Sequence, residues 1–395
     1  MSKQQVFYRQ KLTNQAKKRV LNGVPLIQQE DCLDLQVVNQ WVDFVDEKNQ
    51  WIAQGYLGKQ NKGVGWVLSL TKQPFDQAFF TEKLLSAKKV RQYFFNQDLT
   101  TAFRLFNGEG DGIGGVTIDY YQGYAVISWY NATIYQFKAL ILAAFLAVYP
   151  DILGIYEKNR FETKLPETQH IYGQTAPEPL IIRENGIQYA TYLNEGWMTG
   201  IFLDQKDVRG YLSNGFASGK SVLNMFSYTG AFSVAAAMGG ASMTTSVDLA
   251  KRSLPKTKEQ FSINGIDPAT QKIHVMDTFD YFHYARKKGL KFDLIILDPP
   301  SFARNGKKVF SVAKNYGQLI ADSLPILNKQ GWIVASTNAA NVSSKKFKQM
   351  IEQEFKGTVK SYQLLNTFQL PADFAVRPTF AQGNYLKVFI YQIVQ

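Results

Sequence analysis

Cysteine, histidine and long apolar runs are scarce in this chain, and each scarcity removes a class of function. The lone cysteine, Cys32, excludes a disulfide framework and a cysteine-based metal site. The three histidines are not at ligand spacing, so no metal is expected. The most apolar stretch, Ala139 to Val148, covers about half a membrane span and reads as a buried helix, so no membrane is expected either. Met1 to Arg9 lacks the apolar core of a signal peptide, and a reducing cytoplasm is the expected setting. Acidic residues are outnumbered, 32 against 44 basic, giving a formal net charge of +12. Such a balance favours a polyanionic partner, because Lys and Arg displace the counterions of phosphates. Aromatics, at 14%, serve base stacking or large cores equally well.

The order of elements predicts three domains. Residues 1–72 read as a small β-rich module, in which Val42–Val45 and Trp51–Tyr56 flank a polar turn as a hairpin. Arg9, Lys11, Lys17, Lys18 and Arg19 form a basic cluster there, either an RNA-binding lip or a solvated helix face. Residues 73–193 read as a central α/β domain. It holds a basic helix from Lys83 to Phe95, a glycine-dense connection from Arg104 to Gly115, and strands at Val116–Tyr120 and Tyr124–Trp129. A helix at Tyr135–Tyr149 and a hairpin turn at Asn185-Gly186 follow. Residues 194–395 alternate strand and helix, which implies βαβ crossovers and a parallel sheet. The expected strands are Ser221–Met225, Thr244–Val247, Lys272–Met276, Phe292–Leu297 and Trp332–Ala335, separated by four helices. Tyr362–Leu365 and Tyr385–Ile393 read as further strands without a helix between them, with an antiparallel strand at the end of the sheet.

In such sheets ligands bind at the carboxyl ends of the strands. Phe226-Ser-Tyr-Thr-Gly230 follows the first strand of that domain, where a dinucleotide fold would carry G-x-G-x-x-G, and only Gly230 is present. A nucleoside cofactor without a pyrophosphate fits better than NAD. Asp248 closes the second strand, where a carboxylate accepts both ribose hydroxyls or else caps the next helix. Asp277 closes the third, as an acceptor for an adenine amino group or another cap. Asp298-Pro-Pro-Ser-Phe302 closes the fourth: the prolines stiffen the backbone, and Phe302 is placed to stack on a flipped base.

These segments resemble the S-adenosylmethionine (SAM) motifs of Rossmann-like methyltransferases. The whole chain resembles the bacterial large-subunit ribosomal RNA methyltransferase I family. That resemblance rests also on Arg104-Leu-x-x-Gly-Glu-x-Asp-Gly112, Thr117-Ile-Asp119, Gly196-x-x-Thr-Gly200, Leu203-Asp-Gln205 with Arg209, and Gly383-x-Tyr-Leu-Lys387. It implies a PUA-like domain, a central α/β domain and a Rossmann-like catalytic domain. It further implies ribosomal RNA as substrate, SAM as cofactor, and room for a homodimer. SAM contacts are implied for Gln205, Arg209, Phe226, Ser227, Tyr228, Gly230, Asp248, Asp277 and Asp298. Spacing alone would have made Gln205 and Arg209 part of a polar loop.

One departure bears on the chemistry. Members that methylate cytosine carbon-5 resemble a pattern with cysteine after the fifth strand, and this chain has Asn338 in Ser336-Thr-Asn-Ala339. Carbon-5 needs a thiolate added at carbon-6, which asparagine cannot supply. Related guanine-N7 methyltransferases, with S-N-N-K there, look closer. A ring nitrogen needs alignment and exclusion of water rather than a nucleophile. The expected catalytic residues are therefore Asp298 and Asn338 on the base edge and Phe302 on its face, with Asn338 as a turn cap the alternative. The competing expectation is a SAM-binding RNA-binding or ribosome-assembly factor that transfers no methyl group. Basic pairs at Lys307-Lys308 and Lys345-Lys346 would grip phosphates or be solvated loop charges.

Overall fold

The computed structural model describes residues 7–35, 39–305 and 308–394. The chain divides into two compact units. The first comprises Met1–Leu180, Tyr192–Thr199 and Ala372–Gly383; the second comprises Ile181–Thr191, Gly200–Pro371 and Asn384–Gln395.

The first unit holds two five-stranded sheets. In one, Gln40–Val45 and Trp51–Gln60 form the expected antiparallel hairpin, with Val42 opposite Gly55. The basic cluster beside it is partly neutralised from within. Lys17 pairs with Asp46 at 2.8 Å, and Arg19 grips both oxygens of Asp31 at 2.9 Å. Arg9, Lys11 and Lys18 remain exposed. In the other sheet, Tyr124–Trp129 and Gly154–Asn159 run parallel, as a pair joined by a crossover helix must. That helix is Lys138–Val148, with Ile141, Ala144, Phe145 and Val148 buried. The single helix expected over Tyr135–Tyr149 is in fact two, because Asn131 caps a separate short turn, Ala132–Tyr135, with its side chain.

The second unit is built on a seven-stranded sheet. Its strands are β1 (Ser221–Met225), β2 (Met243–Asp248), β3 (Lys272–Val275), β4 (Phe292–Leu297), β5 (Leu327–Thr337), β6 (Ser361–Phe368) and β7 (Lys387–Val394). The order across the sheet is β3-β2-β1-β4-β5-β7-β6, with β1 to β5 parallel. Buried on both faces, β1 and β4 read as near-continuous apolar runs. The antiparallel pairing expected at the sheet's end involves two strands: β7 lies between β5 and β6, antiparallel to both, and β6 is the edge. Its Val388, Ile390, Tyr391 and Ile393 are fully buried, whereas β6 alternates and suits an edge. A helix at Ser344–Phe355, absent from the expected elements, lies between β5 and β6. It places Lys345 and Lys346 in a first helical turn rather than a loop. Lys307 lies outside the described residues. No helix among the described residues is long and apolar enough to cross a membrane.

Candidate active site

The parallel registers align the carboxyl ends of β1, β2, β3, β4 and β5. Met225 sits opposite Leu297, and Leu297 opposite Ala335, so Phe226, Asp298 and Ser336 stand level with one another, the first two just past their strands and Ser336 still within β5. On the other side the Ser227 amide donates to the Val247 carbonyl at 3.0 Å, and the Met276 amide to the Asp248 carbonyl at 2.9 Å. Asp248 and Asp277 therefore share that edge.

The loop after β1 is strained. Phe226 and Tyr228 have φ of 58° and 51°, a left-handed conformation that costs a non-glycine residue about 1–2 kcal/mol. Such strain persists where surrounding bonds over-determine it. Here the Tyr228 amide donates to Asp248 Oδ2 at 2.8 Å, the Thr229 hydroxyl to the Gly200 carbonyl at 2.7 Å, and the Gly200 amide to the Tyr228 hydroxyl at 3.1 Å. Gly230 closes the loop at φ 80°, and a Cβ on it would stand 2.5 Å from Thr257 Cγ2. Only glycine fits. Below the loop a polar thread runs from Asn224 Nδ2 to Ser233 Oγ (3.0 Å) and on to Ser246 Oγ (2.7 Å), tying β1 to the next helix and to β2.

Asp248 also accepts from the Ala250 amide at 2.8 Å through Oδ1. Burial raises its carboxyl above the ordinary range, against the bonds from the Ala250 and Tyr228 amides. Each oxygen spends one lone pair on backbone and keeps another. Asp277 caps the helix Thr278–Lys287, accepting from the Phe279 amide at 2.9 Å, and so takes the alternative its position allowed. Phe310, on the second arm of a hairpin formed by Phe302–Asn305 and Lys308–Ser311, brings its ring within 6.1 Å of Phe226 and 6.3 Å of Phe279. These rings line an apolar wall beside the two acids.

Asp298 is the electrostatic centre of the site. Gln205 Nε2 and Ser336 Oγ donate to its Oδ1 at 3.0 and 2.7 Å, and Gln205 Nε2 also donates to Ser336 Oγ at 2.7 Å. Burial pushes the carboxyl up to about 6, against the bond from Ser336 and assisted by the charge of Asp204. Gln205 lies on a 3-10 turn, Leu203–Gln205, and is buried; its Oε1 has no hydrogen-bond partner. An orphaned buried acceptor is uncommon, and this one lies beside Asp298. The polar loop expected from spacing is instead this turn and the helix Lys206–Tyr211. Arg209 on that helix spends its donors on Glu184, at 2.6 and 2.7 Å, and on the Phe202 carbonyl at 2.8 Å. Its contribution in this geometry is to fix the turn that carries Gln205.

Asn338, just past β5, is exposed, and its Oδ1 accepts from the Ser301 hydroxyl at 2.6 Å. The amide nitrogen is the group left to donate. Phe302 is 60% exposed, so its ring is open to a planar ligand. Three supports escaped sequence reasoning. Lys387 donates to the carbonyls of Ala339 and Tyr385, both at 2.8 Å, which pins the backbone next to Asn338; burial pushes its amine down to about 8. The Tyr316 hydroxyl holds the Leu297 carbonyl at 2.9 Å, next to Asp298. Glu184 is the buried counter-charge of Arg209. Lys387 stands within a motif quoted above, but nothing local marks Tyr316 or Glu184.

Known proteins resemble this chain. Residues 167–385 match the S-adenosylmethionine-dependent methyltransferase family, and residues 11–70 match a PUA-like domain. Putative ribosomal RNA large subunit methyltransferase YwbD of Bacillus subtilis is 51% identical over 382 residues, 95% of this chain and 96% of that protein. Ribosomal RNA large subunit methyltransferase I of Escherichia coli (strain SMS-3-5) is 29% identical, covering 90% of this chain and 91% of its own. The crystal structure of SMU.776 complexed with SAH superposes with a TM-score of 0.93 at 49% identity, covering 98% of this chain and 100% of that one.

Proposed function

The chain belongs to the S-adenosylmethionine-dependent methyltransferase family, and from that premise we propose that it methylates a ring nitrogen of a purine, guanine N7, in large-subunit ribosomal RNA. The observation that carries this reading is Asn338. It stands where a cytosine-C5 enzyme needs a thiol, and its Oδ1 is tied to Ser301. Cys32, the chain's one cysteine, belongs to the first unit, and burial pushes its thiol up to about 12, so it is no thiolate at neutral pH.

The residues present suit the cofactor. Asp248 has lone pairs for two ribose hydroxyls, Asp277 and the wall of Phe226, Phe279 and Phe310 suit an adenine, and the orphaned Gln205 Oε1 suits an ammonium donor. When bound, SAM supplies an electrophilic methyl group on a cationic sulfur. The protein's task is then to place a lone pair in line with that methyl. Phe302 stacks on the base and holds it out of its helix. Asn338 donates its amide hydrogen to guanine O6, beside N7. Asp298, ionised, accepts from the N–H groups on the opposite edge and pushes electron density toward N7. N7 carries no proton, so the protein would need no general base there, only groups that hold the lone pair toward the methyl that SAM would supply.

Both relatives named for the large subunit span nearly their whole length here, which supports ribosomal RNA as the substrate. The net charge of +12 suits it. We read residues 1–72 as the PUA-like RNA-binding part, 73–193 as the central part and 194–395 as the catalytic part. The test is transfer of a labelled methyl group to deproteinised large-subunit RNA from a strain lacking the gene, followed by reduction and aniline treatment. Strand cleavage at a single labelled guanosine is expected. Label recovered as 5-methylcytidine would overturn the nitrogen assignment.

A further inference from the structure

In the first unit, Tyr124–Trp129 and Gly154–Asn159 are parallel neighbours with Trp129 opposite Asn159, so Tyr130 and Arg160 emerge side by side from the strand ends. The Arg160 guanidinium lies 5.9 Å from the Tyr130 ring centroid and 6.0 Å from that of Trp197. Its Nη2 donates to the Trp197 carbonyl, while Lys158 Nζ donates to the neighbouring Gly196 carbonyl. Two cations, one in the strand and one just past its end, thus fasten the Gly196-Trp197 loop by its backbone and leave the indole outside. That indole is 47% exposed, although tryptophan is among the costliest side chains to leave in water. Arg160 Nε is buried and has no hydrogen-bond partner, an uncommon state for a guanidinium donor.

We propose that Trp197, Arg160 and Tyr130 form an RNA-binding platform in which an unpaired base stacks on the Trp197 indole and its phosphate pairs with the half-buried Arg160 guanidinium. The inference rests on the reading of ribosomal RNA as substrate and adds where, outside the methyl-transfer centre, a nucleotide is gripped. A planar indole accepts the face of any base, so the platform gives affinity without sequence preference. A guanidinium beside it matches phosphate geometry in a way an ammonium does not. An acidic peptide would satisfy Arg160 but leave the indole face unused.

The test uses the full-length chain with Trp197→Ala, Trp197→Phe, Arg160→Gln and Arg160→Lys. Filter binding to an unstructured oligoribonucleotide and to deproteinised large-subunit RNA gives the affinities, and calorimetry with SAM checks that each variant is folded. Trp197→Ala is expected to weaken RNA binding roughly 5- to 150-fold and to raise KM for RNA accordingly, with Trp197→Phe restoring most of it. Arg160→Gln should reduce the salt slope of binding by about one, and Arg160→Lys should recover the slope but not the full affinity. Affinity within twofold of the parent in Trp197→Ala, with SAM binding intact, overturns the platform even if the parent methylates ribosomal RNA. Loss confined to intact ribosomal particles, with free RNA bound normally, also overturns it, because the partner would then be a protein. If the parent methylates no ribosomal RNA, the substrate reading falls, and the oligonucleotide measurement still decides the platform separately.

Discussion

Replacing Asp298 with asparagine keeps the oxygen that Gln205 and Ser336 hold and removes the charge that burial penalises. The carboxyl stands at about 6 in the folded protein against an ordinary 3.8. Between those values the folded protein holds a proton that the unfolded chain has released, so native stability falls as pH rises through that window. Above it the parent carries the full penalty, at most roughly 3 kcal/mol. Partial solvent access brings the expected figure to roughly 1–2 kcal/mol. Asp298→Asn should therefore be more stable than the parent at pH 7.5 and raise the melting temperature by roughly 2–8 °C. The gain should shrink to nothing below about pH 4. Methyl transfer moves the other way: the variant should lose roughly 100-fold or more in kcat, because an amide cannot accept the base's N–H groups as a carboxylate does. In the parent, kcat/KM should fall below about pH 6, and the residual activity of the variant should lack that limb. Scanning calorimetry across pH and single-turnover assays read both signs. A variant that is less stable at pH 7.5, or one that keeps the acid limb, refutes the assignment.

Other expectations follow from the same geometry. Asp248→Ala should weaken SAM binding by roughly 100-fold in calorimetry, through loss of charge-assisted ribose bonds and of the Tyr228 and Ala250 amide contacts; unchanged affinity would sink the ribose assignment. Arg209→Met should destabilise the protein by about 3–5 kcal/mol in urea unfolding, because Glu184 is left buried and unpaired. Arg209→Met with Glu184→Leu should recover much of that loss. Cys32→Ser should leave the rate of methyl transfer unchanged, and a dead variant would bring a thiol mechanism back.

The central strands were legible because their chemistry is local. β1 and β4 are short apolar runs that stop at polar tips, and their observed limits match the expected ones. Asp298 follows such a run, while Asp248 and Asp277 close more polar strands; the capping alternative is physically present at Asp277, whereas Asp248 accepts from the Ala250 amide ahead of a helix that begins only at Ser253. What escaped depends on distant partners. Whether β7 sits at the edge or inside depends on its pairing with both β5 and β6, which no window of sequence contains. Arg209 and Glu184 are 25 residues apart, and a glutamate before a hairpin turn reads as solvated. The helix Ser344–Phe355 does carry a local signal. Its buried Phe347, Ile351 and Phe355 recur every four residues, but the paired lysines of its first turn mask that period with charge.

The most direct measurement is nucleoside mass spectrometry of large-subunit RNA from a strain lacking the gene, compared with its parent. One N7-methylguanosine present in the parent should disappear, and return with the complementing gene but not with its Asp298→Asn variant. Unchanged guanosine methylation together with a lost 5-methylcytidine, or no change in any nucleoside, would contradict guanine N7 as the target.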